Sequence, residues 1–213
     1  MSAAPGPGDG PSSPGLVLRR RLDAESRRRA ILDAAAARFT TGPYAQVSVA
    51  GVAATVGVSE GLVFRYFPTK AELYTAVVRA SIDALVDAQT AADATLPAGV
   101  PTRDRIRSAV EVLLDHVQAH RSGWAAPHVA GPDDPASTLD LRREARRTHV
   151  GHLAALLGTT GWARHEYAVW GYLGFLDAAC QRWAERGCPP DERWAIVDGA
   201  LGALEGALGD WGS

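Results

Sequence analysis

In the first third of this 213-residue chain, the residue types with a chemistry to offer gather between Ser48 and Lys70. Ser48 and Ser59 each precede a short apolar run and read as helix N-caps. Both can therefore present a hydroxyl and open backbone N–H groups to a phosphate. Glu60, Gly61, Leu62 and Arg65 follow on the exposed side of the second short helix. Arg65 can grip a guanine edge bidentately, or a phosphate. Glu60 repels phosphate unless it accepts a hydrogen bond from a cytosine amino group. Short side chains near bases and polar ones near phosphates serve recognition rather than turnover.

The elements that carry these groups follow from local signals. Val47 and Val52 flank Ser48 as a hydrophobic staple, and Val58 and Val63 repeat it around Ser59. Gly57 fits a left-handed position at the end of the first short helix. Pro68 forbids helical geometry at Phe67 and stops the second. Thr69 and Glu72 have capping-box spacing for the next helix. Two short helices and a tight turn form a helix-turn-helix, whose second helix can lie in a DNA major groove. A preceding helix is expected over Ser26–Thr40, with Ile31, Ala34, Ala35 and Phe39 on one face. Phe39, Val52, Val56, Leu62 and Phe67 would form a three-helix core. A fourth helix, Lys70 to about Ala92, is apolar at Leu73, Val77, Ala80, Leu85 and Ala88, and bridges to the rest.

The stretch VSVAGVAATVGVSEGLVFRYFPTKAELY, preceded by RRRAILDAAAARFTTGPY, resembles the DNA-binding domain of the tetracycline-repressor (TetR) family of transcriptional regulators. The resemblance spans about Ser26 to Val78. It implies that Phe64, Tyr66 and Lys70 sit where family members touch the DNA backbone. Phe64 departs from the tyrosine frequent there and lacks the hydroxyl for that phosphate bond.

Charge supports this division. Leu16 to Ala80 holds ten Lys plus Arg against five Asp plus Glu, so a net charge of −2 hides a +5 segment beside a −7 remainder. A basic small domain on an acidic larger one suits a module that meets phosphate. Met1 to Gly15 is rich in Pro, Gly and Ser and reads as a disordered tail. Arg19 to Arg21 and Arg27 to Arg29 read as a basic arm and helix start able to grip DNA. Cations near a helix N-terminus are disfavoured by its dipole, so their placement asks for such a reason. With 46% hydrophobic residues the chain can pack a core, and no apolar run approaches the roughly 18 residues of a membrane span. The absence of a leader-like segment points to the cytoplasm. Cys180 and Cys188 match no zinc spacing and read as buried or partly exposed free thiols.

Further helices are expected over Arg103–Ala119, Ser137–Leu157, Trp162–Arg186 and Asp191–Leu208, with Ala125 to Pro135 broken by prolines. Arg142, Arg143, Arg146 and Arg147 read as a solvated face. The last two helices carry Gly171, Gly174 and Ala178, then Gly199, Gly202, Ala203 and Gly206. Each interior Gly costs about 1 kcal/mol against Ala, and close helix approach would offset it. These residues are read as a dimer interface, with Leu201, Leu204 and Leu208 interleaving; the resemblance implies a four-helix arrangement with a second copy. Leu113, Leu114, Val117, Trp124, Leu153, Leu157, Trp170 and Leu173 are the candidate lining of a pocket for an apolar or aromatic small molecule. His116/His120 and His149/His152 can each share a helix face, but no Cys or carboxylate completes a metal set. No catalytic motif appears, and no cofactor is expected.

The expected fold is all-α, about nine helices: a tail over 1–22, a helix-turn-helix domain over 23–78, and a helical effector-binding and dimerisation domain over 79–213. The expected protein is a cytoplasmic, sequence-specific DNA-binding regulator, not an enzyme. It would act as a ligand-released repressor, a homodimer on a pseudo-palindromic double-stranded operator, with no membrane partner. Two alternatives differ in class: a dimeric DNA-binding protein without ligand, and a helical small-molecule-binding protein or enzyme.

Overall fold

The computed structural model describes residues 14–120, 133–159 and 161–209, with side chains from residue 23 onward. Among the described residues there are eight α-helices and no strand: α1 Pro14–Phe39, α2 Val49–Val56, α3 Glu60–Tyr66, α4 Lys70–Ala94, α5 Thr102–Ala119, α6 Ala136–Leu157, α7 Ala163–Glu185 and α8 Arg193–Leu208. None of them is long and apolar enough to cross a membrane.

Helix α1 begins at Pro14, well before the expected Ser26 and inside the stretch read as a tail. Proline is suited to the first helical position, and no Gly or Pro interrupts the chain from Leu16 to Phe39. Arg27, Arg28 and Arg29 thus lie in the middle of a helix rather than at its start. The conflict with the helix dipole disappears, and all three are exposed. The Arg19–Arg21 side chains, Trp124 and nearly all of the Ala125–Pro135 segment lie outside the described residues.

Buried apolar residues form two clusters. In the first, Ile31, Ala35 and Phe39 of α1 meet Val52 of α2, Val63 of α3 and Leu73, Val77 and Val78 of α4. Leu62, placed in this core by pattern, is half-buried, and Val63 fills the position instead. The second cluster joins Ile106, Val110, Leu114 and Val117 of α5 to Tyr172, Leu176, Cys180 and Trp183 of α7 and to Leu201, Leu204 and Leu208 of α8. A Leu→Ala change at such fully buried positions costs about 2–5 kcal/mol.

At 25 residues, α4 spans about 37 Å at 1.5 Å per residue. Leu73 and Tyr74 sit in the first cluster, and the helix then runs between α5 and α6. Ala80 and Ala88, expected on its buried face, are exposed, while Tyr74 and Val78 are buried. Helix α6 is tied to it at three levels. Thr75 Oγ1 and Ser137 Oγ are 2.8 Å apart, Arg142 donates to the Tyr74 hydroxyl at 3.2 Å, and His149 Nε2 meets Gln89 Oε1 at 3.2 Å.

Candidate nucleic-acid interface and helical cavity

The α2–α3 unit is built by the caps the sequence predicts. Ser48 Oγ accepts from Gly51 N at 3.1 Å, and Ser59 Oγ accepts from Leu62 N at 3.3 Å. Gly57 turns the chain with φ 73°, in the left-handed region. Phe67 leaves the helix in extended geometry before Pro68, and Thr69 Oγ1 accepts from Glu72 N at 3.0 Å to start α4. Both serine oxygens are engaged in capping, so what each can still offer a phosphate is its hydroxyl proton.

Ser48, Ser59, Glu60, Gly61, Phe64 and Arg65 are exposed, with Phe64 40% accessible. Leu62, Tyr66 and Lys70 are half-buried, and Tyr66 packs on the core. Lys70 is drawn inward: its Nζ donates to the Ala45 carbonyl at 3.2 Å and lies 4.4 Å from the Tyr44 ring centre. Burial lowers its pKa. A basic residue outside the predicted set stands beside this face. Arg38 donates to Thr55 Oγ1 at 3.2 Å, and a Cβ on Gly51 would lie 2.9 Å from its Nη1. A glycine inside so short a helix was the available signal.

Behind the interface lies an aromatic group. Phe39 and Tyr74 rings are 4.7 Å apart, and Tyr44 and Tyr74 are 5.0 Å apart. The Tyr74 hydroxyl accepts from Arg142 of α6, whose other nitrogen donates to Asp134 at 2.6 Å. The Arg142 and Asp134 side chains are only 9% and 4% exposed. Burial, with Asp134 adding to it, raises the Tyr74 pKa.

A cavity of about 860 Å³ opens between α4, α5, α6 and α7. Leu113, Leu153, Trp170 and Leu173 line it. Leu114 and Val117 do not: they are fully buried in the second core cluster. Leu157 packs against that cluster too, and Leu156 takes the place on the wall. The sequence reading missed the polar wall. Gln89 donates to the Ala109 carbonyl at 3.0 Å, so its own carbonyl oxygen faces His149 Nε2 and can accept from it when that nitrogen carries the proton. Burial lowers the His149 pKa, which favours the neutral ring.

The arginine stretch is not a uniformly solvated face. Arg142 is buried against Asp134 and Tyr74, and Arg146 pairs with Asp177 of α7 across the cavity. Arg143 and Arg147 are exposed. Burial raises the Asp177 pKa even beside Arg146.

Gly171, Gly174, Ala178, Gly202, Ala203 and Gly206 are exposed, and Gly199 is half-buried against Phe175. Nothing lies within 4 Å of where a Cβ would stand on Gly171, Gly174, Gly202 or Gly206. Leu201, Leu204 and Leu208 point inward, into the subunit's own core, and cannot interleave with these positions. Tyr167, 75% exposed, and Phe175 flank the small-residue face. The His116 and His120 ring centres are 4.4 Å apart, the planes tilted by 36°. Among the described residues, no group of three His, Cys, Asp or Glu side chains is placed to hold a metal. Cys180 and Cys188 are buried, and burial pushes the Cys180 thiol up to about 12.

A helix-turn-helix is thus joined by one long helix to a cavity-bearing helical domain. Residues 31–77 match the family model of bacterial regulatory proteins, tetR family. It is 32% identical over 104 residues to the HTH-type transcriptional activator FasR of Mycolicibacterium smegmatis, an alignment covering 49% of this chain and 46% of FasR. The chain thus spans less than half the length of that relative. Its fold matches a TetR-like regulator from Rhodococcus sp. RHA1 with TM-score 0.71 at 22% identity, over 86% of this chain and 97% of that one. It also matches FadR of Bacillus subtilis, solved in complex with stearoyl-CoA, with TM-score 0.65 at 13% identity, over 84% and 97% of the two chains.

Proposed function

We propose that this protein is a ligand-released repressor that binds a pseudo-palindromic operator as a homodimer, with Ser48, Ser59 to Leu62, Phe64 to Tyr66 and Lys70 as its DNA-contacting set. The observation that carries this reading is α4. One rigid helix begins at the end of the reading head, with Tyr74 in its core, and continues into the cavity wall at Leu85, Val86 and Gln89. The Arg142–Tyr74 bond adds a second tie from the cavity to the aromatic group behind the interface. An occupant that pushes α4 and α6 apart moves the head, and in a dimer it changes the separation of two heads. Linkage requires that operator binding weaken the occupant by the same factor, typically about 5–150-fold.

The dimer is read from the open face of α7 and α8. Gly171, Gly174, Gly202 and Gly206 there have no intrachain reason, and exposed Tyr167 and Phe175 flank them. A second copy packed on that face offsets their helix cost and pairs the reading heads by two-fold symmetry. An apolar or aromatic effector suits most of the cavity wall, a reading supported by FadR of Bacillus subtilis, which was solved in complex with stearoyl-CoA. The protein is read as cytoplasmic and non-enzymatic on the same grounds.

The test is selection of duplexes from random DNA, followed by gel-shift titration of the winner with excess nonspecific competitor at two salt concentrations. The expected outcome is a competitor-resistant complex with inverted half-sites whose affinity falls steeply with salt. Failure to enrich any sequence would contradict it. FasR is named as an activator, so footprinting the site relative to the promoter separates repression by occlusion from activation upstream.

A further inference from the structure

The cavity's charges are unevenly committed. Five arginines line it, at 105, 142, 143, 146 and 147, against the two carboxylates Asp93 and Asp177. Three of the five are held by a partner that is half-buried or buried and lies on another segment: Arg105 by Asp93, Arg146 by Asp177, and Arg142 by Asp134. Arg143 and Arg147 differ. Their side chains are 65% and 64% exposed, which places them at the rim where the wall meets solvent. Each pairs only with a carboxylate three residues earlier on its own helix, Asp140 at 3.0 Å and Glu144 at 3.2 Å. Exposed pairs of that kind contribute little and are readily exchanged for another anion. With i,i+4 spacing on α6, the two guanidiniums stand side by side on one stripe, each a planar fork that suits a carboxylate or phosphate. Beneath them the wall is aliphatic and aromatic, at Leu85, Val86, Leu153, Leu156 and Leu173, with Trp170.

We infer that the effector is an amphiphilic anion, whose apolar chain fills the cavity and whose charged head is held at the rim by Arg143 and Arg147. This rests on the reading of the cavity as the effector site. The arrangement discriminates in two ways. A neutral molecule of the same shape gains the apolar burial but leaves both guanidiniums in their weak exposed pairs with Asp140 and Glu144. A cationic amphiphile finds both rim guanidiniums repelling its head and gains nothing from displacing their carboxylate partners. A carboxylate and a phosphate share the required chemistry, so a free acid and a thioester carrying a phosphorylated carrier both qualify.

The test uses the full chain and four twelve-carbon probes below their micellar concentrations: dodecanoate, 1-dodecanol, dodecyltrimethylammonium and dodecanoyl-CoA. Isothermal calorimetry measures affinity and stoichiometry, and operator binding is followed in parallel. The expected result is one anionic probe per subunit, bound about tenfold or more tighter than the alcohol at low salt, the advantage shrinking as salt rises. The Arg143→Gln/Arg147→Gln double variant, altered only at exposed positions, should bind the anion and the alcohol within about twofold of each other, while the Lys double variant keeps most of the preference. Tight binding of dodecanoate without dodecanoyl-CoA identifies a carboxylate head; the reverse identifies phosphate. Equal affinity for acid and alcohol, a preference for the cation, or an anion preference untouched in the Gln variant would overturn the inference. The effector-site reading would survive any of these, provided that the bound probe weakens operator binding. If no probe binds, or if a stoichiometrically bound probe leaves operator affinity unchanged, that reading falls and this inference falls with it.

Discussion

Glycines separate the two ends of this molecule. Gly51 and Gly57, in the helix-turn-helix, are explained inside the chain: one makes room for Arg38, and the other turns the backbone at φ 73°. Gly171, Gly174, Gly202 and Gly206, in the last two long helices, have nothing within 4 Å of where a Cβ would stand and sit in ordinary helical geometry. Each weakens its helix by about 1 kcal/mol with no compensation from the subunit itself. Where a chain's own packing explains a costly residue, the residue belongs to the fold; where it does not, the explanation stands outside the chain. Gly61 belongs to the second kind, since it too faces open space, on the exposed side of α3.

Substitutions at these positions break or sharpen that contrast. The largest effect is expected at the α8 face. Gly202→Leu should dissociate the dimer in sedimentation and lower operator affinity by at least about a hundredfold, because two linked heads bind with an avidity that one head lacks. An undisturbed dimer would remove the face from the interface. Arg65→Ala should cost about 1–3 kcal/mol of operator affinity per lost base contact, or a smaller amount with a flatter salt dependence if the contact is to phosphate. Circular dichroism should be unchanged, since Arg65 is exposed. Gly61→Ala should act with opposite signs on two readouts. Thermal stability should rise by up to about 1 kcal/mol as helix propensity improves, while operator affinity falls because the added methyl occupies space that the DNA needs. A stability gain with no loss of binding would place Gly61 away from the groove.

Tyr74→Phe removes the hydroxyl that receives Arg142, a loss of about 0.5–1.5 kcal/mol in stability. Its sharper expected effect is on coupling: the fold-change in operator affinity caused by an effector should shrink, although neither site is touched. Unchanged coupling would leave α4 alone as the link. The smallest effect is electrostatic. Burial, with the neighbouring His120, lowers the His116 pKa to about 4 from an ordinary 6.5. The unfolded chain therefore binds a proton at higher pH than the folded one does. Stability should fall as pH drops from about 6.5 towards about 4, and His116→Gln should flatten that slope in melting curves.

The same contrast governs what could be read from the sequence. In the reading head the decisive signals are local. Ser48, Ser59 and Thr69 cap helices three residues ahead, and Pro68 acts on its immediate neighbour. The start of α1 was misplaced because Pro14 opens a helix as readily as a preceding Gly-rich run suggests disorder. In the C-terminal domain, helix bounds were legible to within a residue or two, but which face meets which neighbour was not. Leu113 and Leu114 are adjacent and equally apolar, yet only Leu113 reaches the cavity. The Arg142–Asp134, Arg146–Asp177 and Gln89–His149 contacts join separate segments, and no periodicity within one helix announces its partner on another. Leu201, Leu204 and Leu208 were assigned to the wrong side of α8 for the same reason.

The central claim is that the cavity and the reading head are energetically coupled through α4 and its bond from α6. The most direct test is operator affinity by fluorescence anisotropy at graded concentrations of dodecanoate, repeated as dodecanoate affinity at graded concentrations of operator. The account predicts that each ligand weakens the other, and by the same factor. An operator affinity that stays constant while the cavity fills would contradict it.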